Sequence, residues 1–280
     1  MRVPQSLLLF LVLNAACGRS GDATTPDKTP VTTAQPRGDA AQQGAVAPAK
    51  RPAAGQYRDS TVPQGSNATR VKHMLAVWPA KVPRPIFSQS LAQLAKALSP
   101  LGGSPVASSS LLKMSAHFGI ATPWIIQSYM VATGHTIPSF AAWAAQTTSR
   151  LVAQGKVTHF GFALVPGKSQ GQLVLILLMQ QRKISLQAFP QAITPGGAFT
   201  LRGQVARDVS KMDLLMTLPG GKVTKRAVTL RKDRTFSTQV ALGPAGSAGG
   251  LYNLELMGQD SGGPVVLALF PMACGSRHWP

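Results

Sequence analysis

From residue 191 to 275, short apolar stretches and turn residues alternate about every eight to twelve positions, and within each stretch the apolar side chains fall on one parity. Phe199, Leu201, Gly203 and Val205 alternate with Thr200, Arg202 and Gln204. Met212, Leu214, Met216 and Leu218 share a parity, as do Phe236, Thr238, Val240 and Leu242. Successive side chains of a strand point to opposite faces, so each stretch predicts a strand with one inward side. Pro195-Gly196-Gly197, Pro219-Gly220-Gly221 and the run from Pro244 to Gly250 supply the connections. The pattern predicts about seven strands packed as an all-β sandwich.

Residues 70–190 follow a different period. Ile86, Phe87, Leu91, Leu94, Ala95 and Leu98 recur at helical spacing until Pro100 and Gly102-Gly103 stop them. Val106 to Phe118 predicts a second helix, and Trp124 to Val131, after Pro123, predicts a strand. Ser139 is the expected cap of a helix running through Phe140, Trp143, Ala144, Thr147, Leu151 and Val152 to Gly155. Val157 to Val165 and Gln172 to Met179 flank a Gly-rich turn and predict a hairpin. The order α-α-β-α-β-β implies a small α+β domain with helices on an antiparallel sheet. Residues 18–69 are rich in Ala, Pro, Gly, Thr and Gln and predict a disordered linker. Residues 276–280 read as a C-terminal tail. Gly250-Leu251-Tyr252 ahead of Leu254 and Leu256 resembles the start of a late strand in immunoglobulin-like domains, where a tyrosine caps the corner. That resemblance implies an immunoglobulin-like sandwich.

The charge balance narrows the chemistry. Twenty-eight lysines and arginines stand against nine acids, for a net charge of +19. No Asp or Glu occurs between Asp59 and Asp208, although that stretch holds thirteen lysines and arginines. General acid–base, glycosidic and hard-metal sites draw on carboxylates, so no catalytic residue, metal site or cofactor is expected. The chain is basic because it lacks counter-charge, and such a balance attracts polyanions without specifying which. The densest basic cluster is Lys222, Lys225, Arg226, Arg231, Lys232 and Arg234, expected on adjacent strands around Asp233 as a polyanion-binding surface. No aromatic residues interleave it to stack on bases, which argues against specific nucleic-acid recognition.

At the N-terminus, Arg2 and the apolar run from Leu7 to Leu13 have the layout of a secretory signal peptide over residues 1–17. Leu13-Asn14-Ala15-Ala16-Cys17 resembles the lipobox of bacterial lipoproteins, with its leucine one position early. The resemblance implies lipidation of Cys17 and membrane attachment through it; the alternative is cleavage at a nearby small residue. Either outcome implies a bacterial exported protein, on the outer membrane or in the periplasm or medium. With only Cys17 and Cys274 there is no disulfide framework, and Cys274 reads as a small buried side chain ending the last strand.

The remaining motifs are weak. Ser110-Leu111-Leu112-Lys113 matches the serine-x-x-lysine element of penicillin-binding enzymes, but its partner motifs are missing. Gly161 to Ser169 misses the phosphate-loop spacing by one residue, and a strand rather than a helix is expected after it. His73, His117, His135 and His159 show no paired ligand spacing.

One family resemblance spans residues 86–275. It rests on His117-Phe118-Gly119-Ile120 with Pro123-Trp124, on His159 to Val165, on Pro195 to Gly203, and on Val265 to Pro271 leading into Cys274-Gly275. These segments are similar to the non-catalytic N-terminal region of myxobacterial-type secreted proteins that carry a CAP-type (cysteine-rich secretory) domain. No CAP active-site residue maps onto this sequence. The expectation is an exported cell-envelope binding or accessory protein whose basic surface contacts anionic envelope polymers or a protein partner. The alternatives are a degenerate CAP-like, hydrolase-related protein, which requires His117, His135 and His159 to converge, and a non-specific extracellular polyanion or nucleic-acid binder.

Overall fold

The computed structural model describes residues 55–121, 123–243 and 249–275, with the backbone of residues 10–12. The rest of the signal segment including Cys17, the linker up to residue 54, the tail and most of the Pro244 to Gly250 connection lie outside the described residues.

The elements are β1 (Phe10–Val12), β2 (Gln56–Tyr57), α1 (Ser66–Ala76), β3 (Ile86–Phe87), α2 (Gln89–Ala97), α3 (Ser108–His117), β4 (Ile126–Thr133), α4 (Ile137–Ala153), β5 (His159–Pro166) and β6 (Gln172–Gln180). They continue as β7 (Ile184–Leu186), β8 (Phe189–Pro190), β9 (Ala192–Ile193), β10 (Ala198–Val205), β11 (Lys211–Thr217), β12 (Val223–Ala227), β13 (Thr235–Ala241), β14 (Gly250–Asp260) and β15 (Gly263–Cys274). The molecule is thus mostly β, with four α-helices among the described residues.

The first unit is a sheet in the order β1-β4-β6-β5-β3, antiparallel except where β3 joins β5 in parallel. Helices cover both faces. Val71, Met74, Phe140 and Ala144 from α1 and α4 pack on Phe160, Phe162, Leu175 and Leu177. Leu91, Leu94 and Leu111 from α2 and α3 pack on Ala163, Val174, Ile176 and Leu178 from the opposite face. The uninterrupted apolar run from Leu173 to Met179 is therefore buried on both sides. Gly161 permits this closeness, because a Cβ there would lie 2.4 Å from the Ala92 amide nitrogen of α2.

Two further sheets, β13-β10-β7 and β12-β11-β14-β15-β9, pack face to face around a second core. Leu201, Val205, Phe236 and Val240 from the smaller sheet meet Leu214, Leu254, Leu256 and Phe270 from the larger. The inward parities of β10, β11 and β13 are those read from the alternation. Cys274 is fully buried at the end of β15. The two sheets hold eight strands among the described residues: β9 to β15, the seven within residues 191–275, and β7 ahead of them.

Several boundaries differ from expectation. The linker does not extend to residue 69: β2 and α1 precede that point, and Tyr57 is only 2% exposed. Composition misled here because the segment's one aromatic residue, Tyr57, works as an anchor. The units meet near residue 183 rather than 190, since β7 pairs with β10 and Phe189 joins the sandwich core. Ile86 and Phe87 form β3 instead of opening a helix, their extended backbone fixed by Ile86 N–H to Thr158 O (2.9 Å) and Ser88 N–H to Phe160 O (2.7 Å). Thr136, not Ser139, is the N-cap residue of α4; the Ser139 hydroxyl donates to Thr136 O at 2.8 Å.

Candidate functional site

Two places gather polar side chains: the junction between the units, and one edge of the sandwich. The junction was not anticipated. There the chain enters as a strap, residues 55–61, whose alternate side chains go to different units. Tyr57 enters the sandwich core, stacking on Phe189 with ring centroids 4.8 Å apart and donating its hydroxyl to Pro271 O at 2.7 Å. Two residues on, Asp59 turns to the helical unit. Its carboxylate accepts from the Ser88 hydroxyl (2.6 Å), the Ser90 amide (3.0 Å) and the Arg182 guanidinium (2.7 Å).

Ser88 is the N-cap of α2, bonded by Leu91 N–H at 3.1 Å. The helix has no acid in its own first turn, so Asp59 supplies the negative charge its N-terminus favours. Arg182 also donates to Ser88 Oγ (3.1 Å) and, with the Gln180 amide turned to present its oxygen, to Gln180. Burial alone raises the Asp59 pKa, but Arg182, Ser88 and Ser90 outweigh it and hold the carboxyl below its usual value. Burial lowers the Arg182 pKa against the opposing pull of Asp59.

The next residue makes the reciprocal link. Lys183 bridges Asp208 and Asp260, each at 2.6 Å, within the sandwich. Beside these pairs runs a groove of about 420 Å³ between the units, lined by Ile86, His159, Arg182, Ile184 and Gln204 among others. His159 Nδ1 lies 2.9 Å from the Thr158 hydroxyl. Burial first, then the Arg182 charge, pushes the imidazole down to about 4, with Asp59 opposing, so it is neutral at pH 7. Serine, histidine and aspartate are all present, yet Ser88 is fully buried and donates to Asp59 directly. The Ser88 proton goes to Asp59 and His159 Nδ1 faces Thr158, so this network positions backbone rather than activating Ser88.

The basic cluster takes a different form from the adjacent-strand surface expected. Lys225 and Arg226 lie on β12, the edge of the five-stranded sheet, with Lys222 just before it. Arg231, Lys232 and Arg234 occupy the turn leading into β13, the edge of the other sheet. The two strands are not ladder partners, because the chain crosses between sheets as Val228 turns into the core. Arg226 joins them by donating to Gln239 O at 2.7 Å. Lys225 pairs with Asp213 at 3.0 Å, and Lys222 stands at the far end of β12 from the turn. In that turn Arg234 holds φ +68°, a left-handed conformation costing a non-glycine residue about 1–2 kcal/mol. The Asp233 carboxylate is engaged by the Thr235 hydroxyl (2.7 Å) and amide (3.1 Å), which lower its pKa.

The other candidates disperse. Ser110 and Lys113 are both exposed on α3, and the Gly167-Lys168-Ser169 turn leads into β6. His117 ends α3, His135 precedes α4 and lies 3.3 Å from Ser139 Oγ, and His159 opens β5. Among the described residues no three His, Cys, Asp or Glu side chains converge as a metal site requires. Cys274 Sγ donates weakly to Leu242 O at 3.4 Å.

No family model matches the chain. No curated protein matches it either. Among solved structures, it is similar to an engineered protein at 13% identity over 34% of this chain and 20% of that one, with a TM-score of 0.27. It is similar to CopC from Methylosinus trichosporium OB3b at 11% identity (31% and 86% covered, TM-score 0.24). The soluble domain of PmoD from Methylocystis sp. ATCC 49242 is 14% identical (41% and 90% covered, TM-score 0.24). Likenesses this slight carry no argument about function.

Asp59→Asn leaves Arg182 charged and largely buried without its carboxylate, and is expected to destabilise the fold by about 3 kcal/mol in urea denaturation. Asp59→Asn combined with Arg182→Met recovers most of that loss; equal loss in single and double variants would show that the ion pair is not the cause. Because the folded pKa of His159 lies near 4 and its unfolded value near about 6.5, the unfolded chain binds the extra proton and stability declines as pH falls through that window. His159→Gln is expected to flatten melting temperature between about pH 6.5 and 4, leaving the Asp59 contribution to be lost only below about pH 4.

Proposed function

We propose that this is an exported, non-catalytic binding or accessory protein of the bacterial cell envelope. A two-unit body hangs on an N-terminal tether, anchored by lipid if Cys17 is modified, and an immunoglobulin-like sandwich presents a basic edge to anionic envelope material. The observation that carries the reading is the fate of the carboxylates. Residues 55–275 contain twenty-one lysines and arginines and only six acids. Four of those acids are ion-paired within the fold: Asp59 with Arg182, Asp208 and Asp260 with Lys183, and Asp213 with Lys225; Asp233 is outnumbered by Arg231, Lys232 and Arg234 in its own turn. Little negative charge is left to balance the exposed Arg226, Arg231 and Lys232 at the sandwich edge. The degenerate CAP-like reading draws no support from His117, His135 and His159, which stand at the ends of three separate elements.

The test titrates the full chain with purified lipopolysaccharide at 50 and 200 mM salt, beside an Arg226→Gln/Arg231→Gln/Lys232→Gln variant. Exposed charge pairs are screened by salt, so affinity is expected to fall by roughly tenfold or more with salt and by about tenfold in the variant. Binding indifferent to both salt and charge removal contradicts the proposal.

A further inference from the structure

The outer face of the β7-β10-β13 sheet extends the basic edge. Its ladder register sets exposed polar side chains in rungs: Ser185, Gln204 and Thr235; then Arg202 beside Ser237; then Thr200 beside Gln239. All but the half-buried Thr235 are exposed, while Leu201, Val205, Phe236 and Val240 of the same strands point inward. Strand geometry spaces the rungs by about 6.8 Å along the strands and about 4.8 Å across them. These rungs carry hydroxyls, amides and one guanidinium, with no carboxylate and no aromatic ring.

Cations bracket this platform. Arg202 lies in its middle and Arg226 reaches Gln239 O from the neighbouring edge. The Arg231–Arg234 turn closes the other end, where Gln204 Nε2 donates to Asp233 O at 3.2 Å. Asp233, kept ionised by its bonds from Thr235, is the one carboxylate of that turn and stands against Arg231, Lys232 and Arg234, so the rim is net positive.

We infer that this face is a binding platform for a hydroxyl-rich anionic polysaccharide, its acidic groups meeting the guanidinium rim and its hydroxyls the Ser, Thr and Gln rungs. This rests on the proposed polyanion-binding function and names the ligand class. Charge complementarity requires an anion. The absence of aromatics removes the stacking on which single-stranded nucleic acid binding depends, and the absence of apolar anchors removes what protein interfaces use as hot spots.

The experiment measures binding of the full chain to polygalacturonate, to uncharged dextran and to single-stranded DNA. It compares wild type with a face variant (Arg202→Gln/Ser237→Ala/Gln239→Ala) and with the Arg226→Gln/Arg231→Gln/Lys232→Gln rim variant. All substituted side chains are exposed or on the turn, and unchanged melting temperatures verify folding. The expected result is binding to polygalacturonate but not dextran, weaker for DNA at equal charge, with about a tenfold loss in the face variant. An unaltered face variant beside a weakened rim variant overturns the platform and leaves the broader polyanion function standing. DNA binding as tight as polygalacturonate binding overturns the ligand class. Failure to bind any polyanion defeats both readings.

Discussion

The Asp59–Arg182 pair is the interaction on which the arrangement of the two units depends. With side chains 15% and 18% exposed, the ions have given up most of their hydration, which their attraction offsets only when the remaining hydrogen-bonding capacity is filled. It is filled here: Ser88, Ser90 and Gln180 complete the network. A carboxylate so placed fixes three things together, namely the first turn of α2, the exit of the chain from β6, and the strap that carries Tyr57 into the sandwich. Neighbouring Lys183 ties the same exit to Asp208 and Asp260, so two successive cations face two different units.

The scarcity of acids gives this pair its weight. Because Asp59 is the last carboxylate before Asp208, the helical unit has no acid within its own sheet and helices to partner a buried guanidinium or to favour a helix N-terminus. It takes that charge from the strap that leads into it. The same scarcity leaves the sandwich edge positive, since Asp213 is paired with Lys225 and Asp233 is outnumbered by Arg231, Lys232 and Arg234. One compositional fact thus bears on both the junction and the proposed binding surface.

Much of the fold was legible where one face of an element meets solvent. The alternation of β10, β11 and β13 follows directly from Leu201, Leu214 and Phe236, and the β5–β6 hairpin from its apolar runs. The second helical layer was less visible, although the unbroken run from Leu173 to Met179 carried its signature of burial on both faces. Residues 55–61 were read as linker because pattern analysis weighs neighbours in sequence, whereas Tyr57 and Asp59 act on partners as far away as Pro271 and Arg182. The basic cluster was legible as composition but not as geometry. Its crossing from one sheet to the other, and the involvement of Arg202 and Gln239, depend on long-range register.

The most direct test of this account is hydrogen–deuterium exchange of the full chain and its Asp59→Asn variant under native conditions. If Asp59 couples the units, the variant loses amide protection in α2's first turn and also across β7, β8 and the neighbouring part of β10, where the strap's Tyr57 and the Arg182–Lys183 exit are seated. Loss confined to residues 55–61 and the start of α2, with the sandwich as protected as in the wild type, would contradict it.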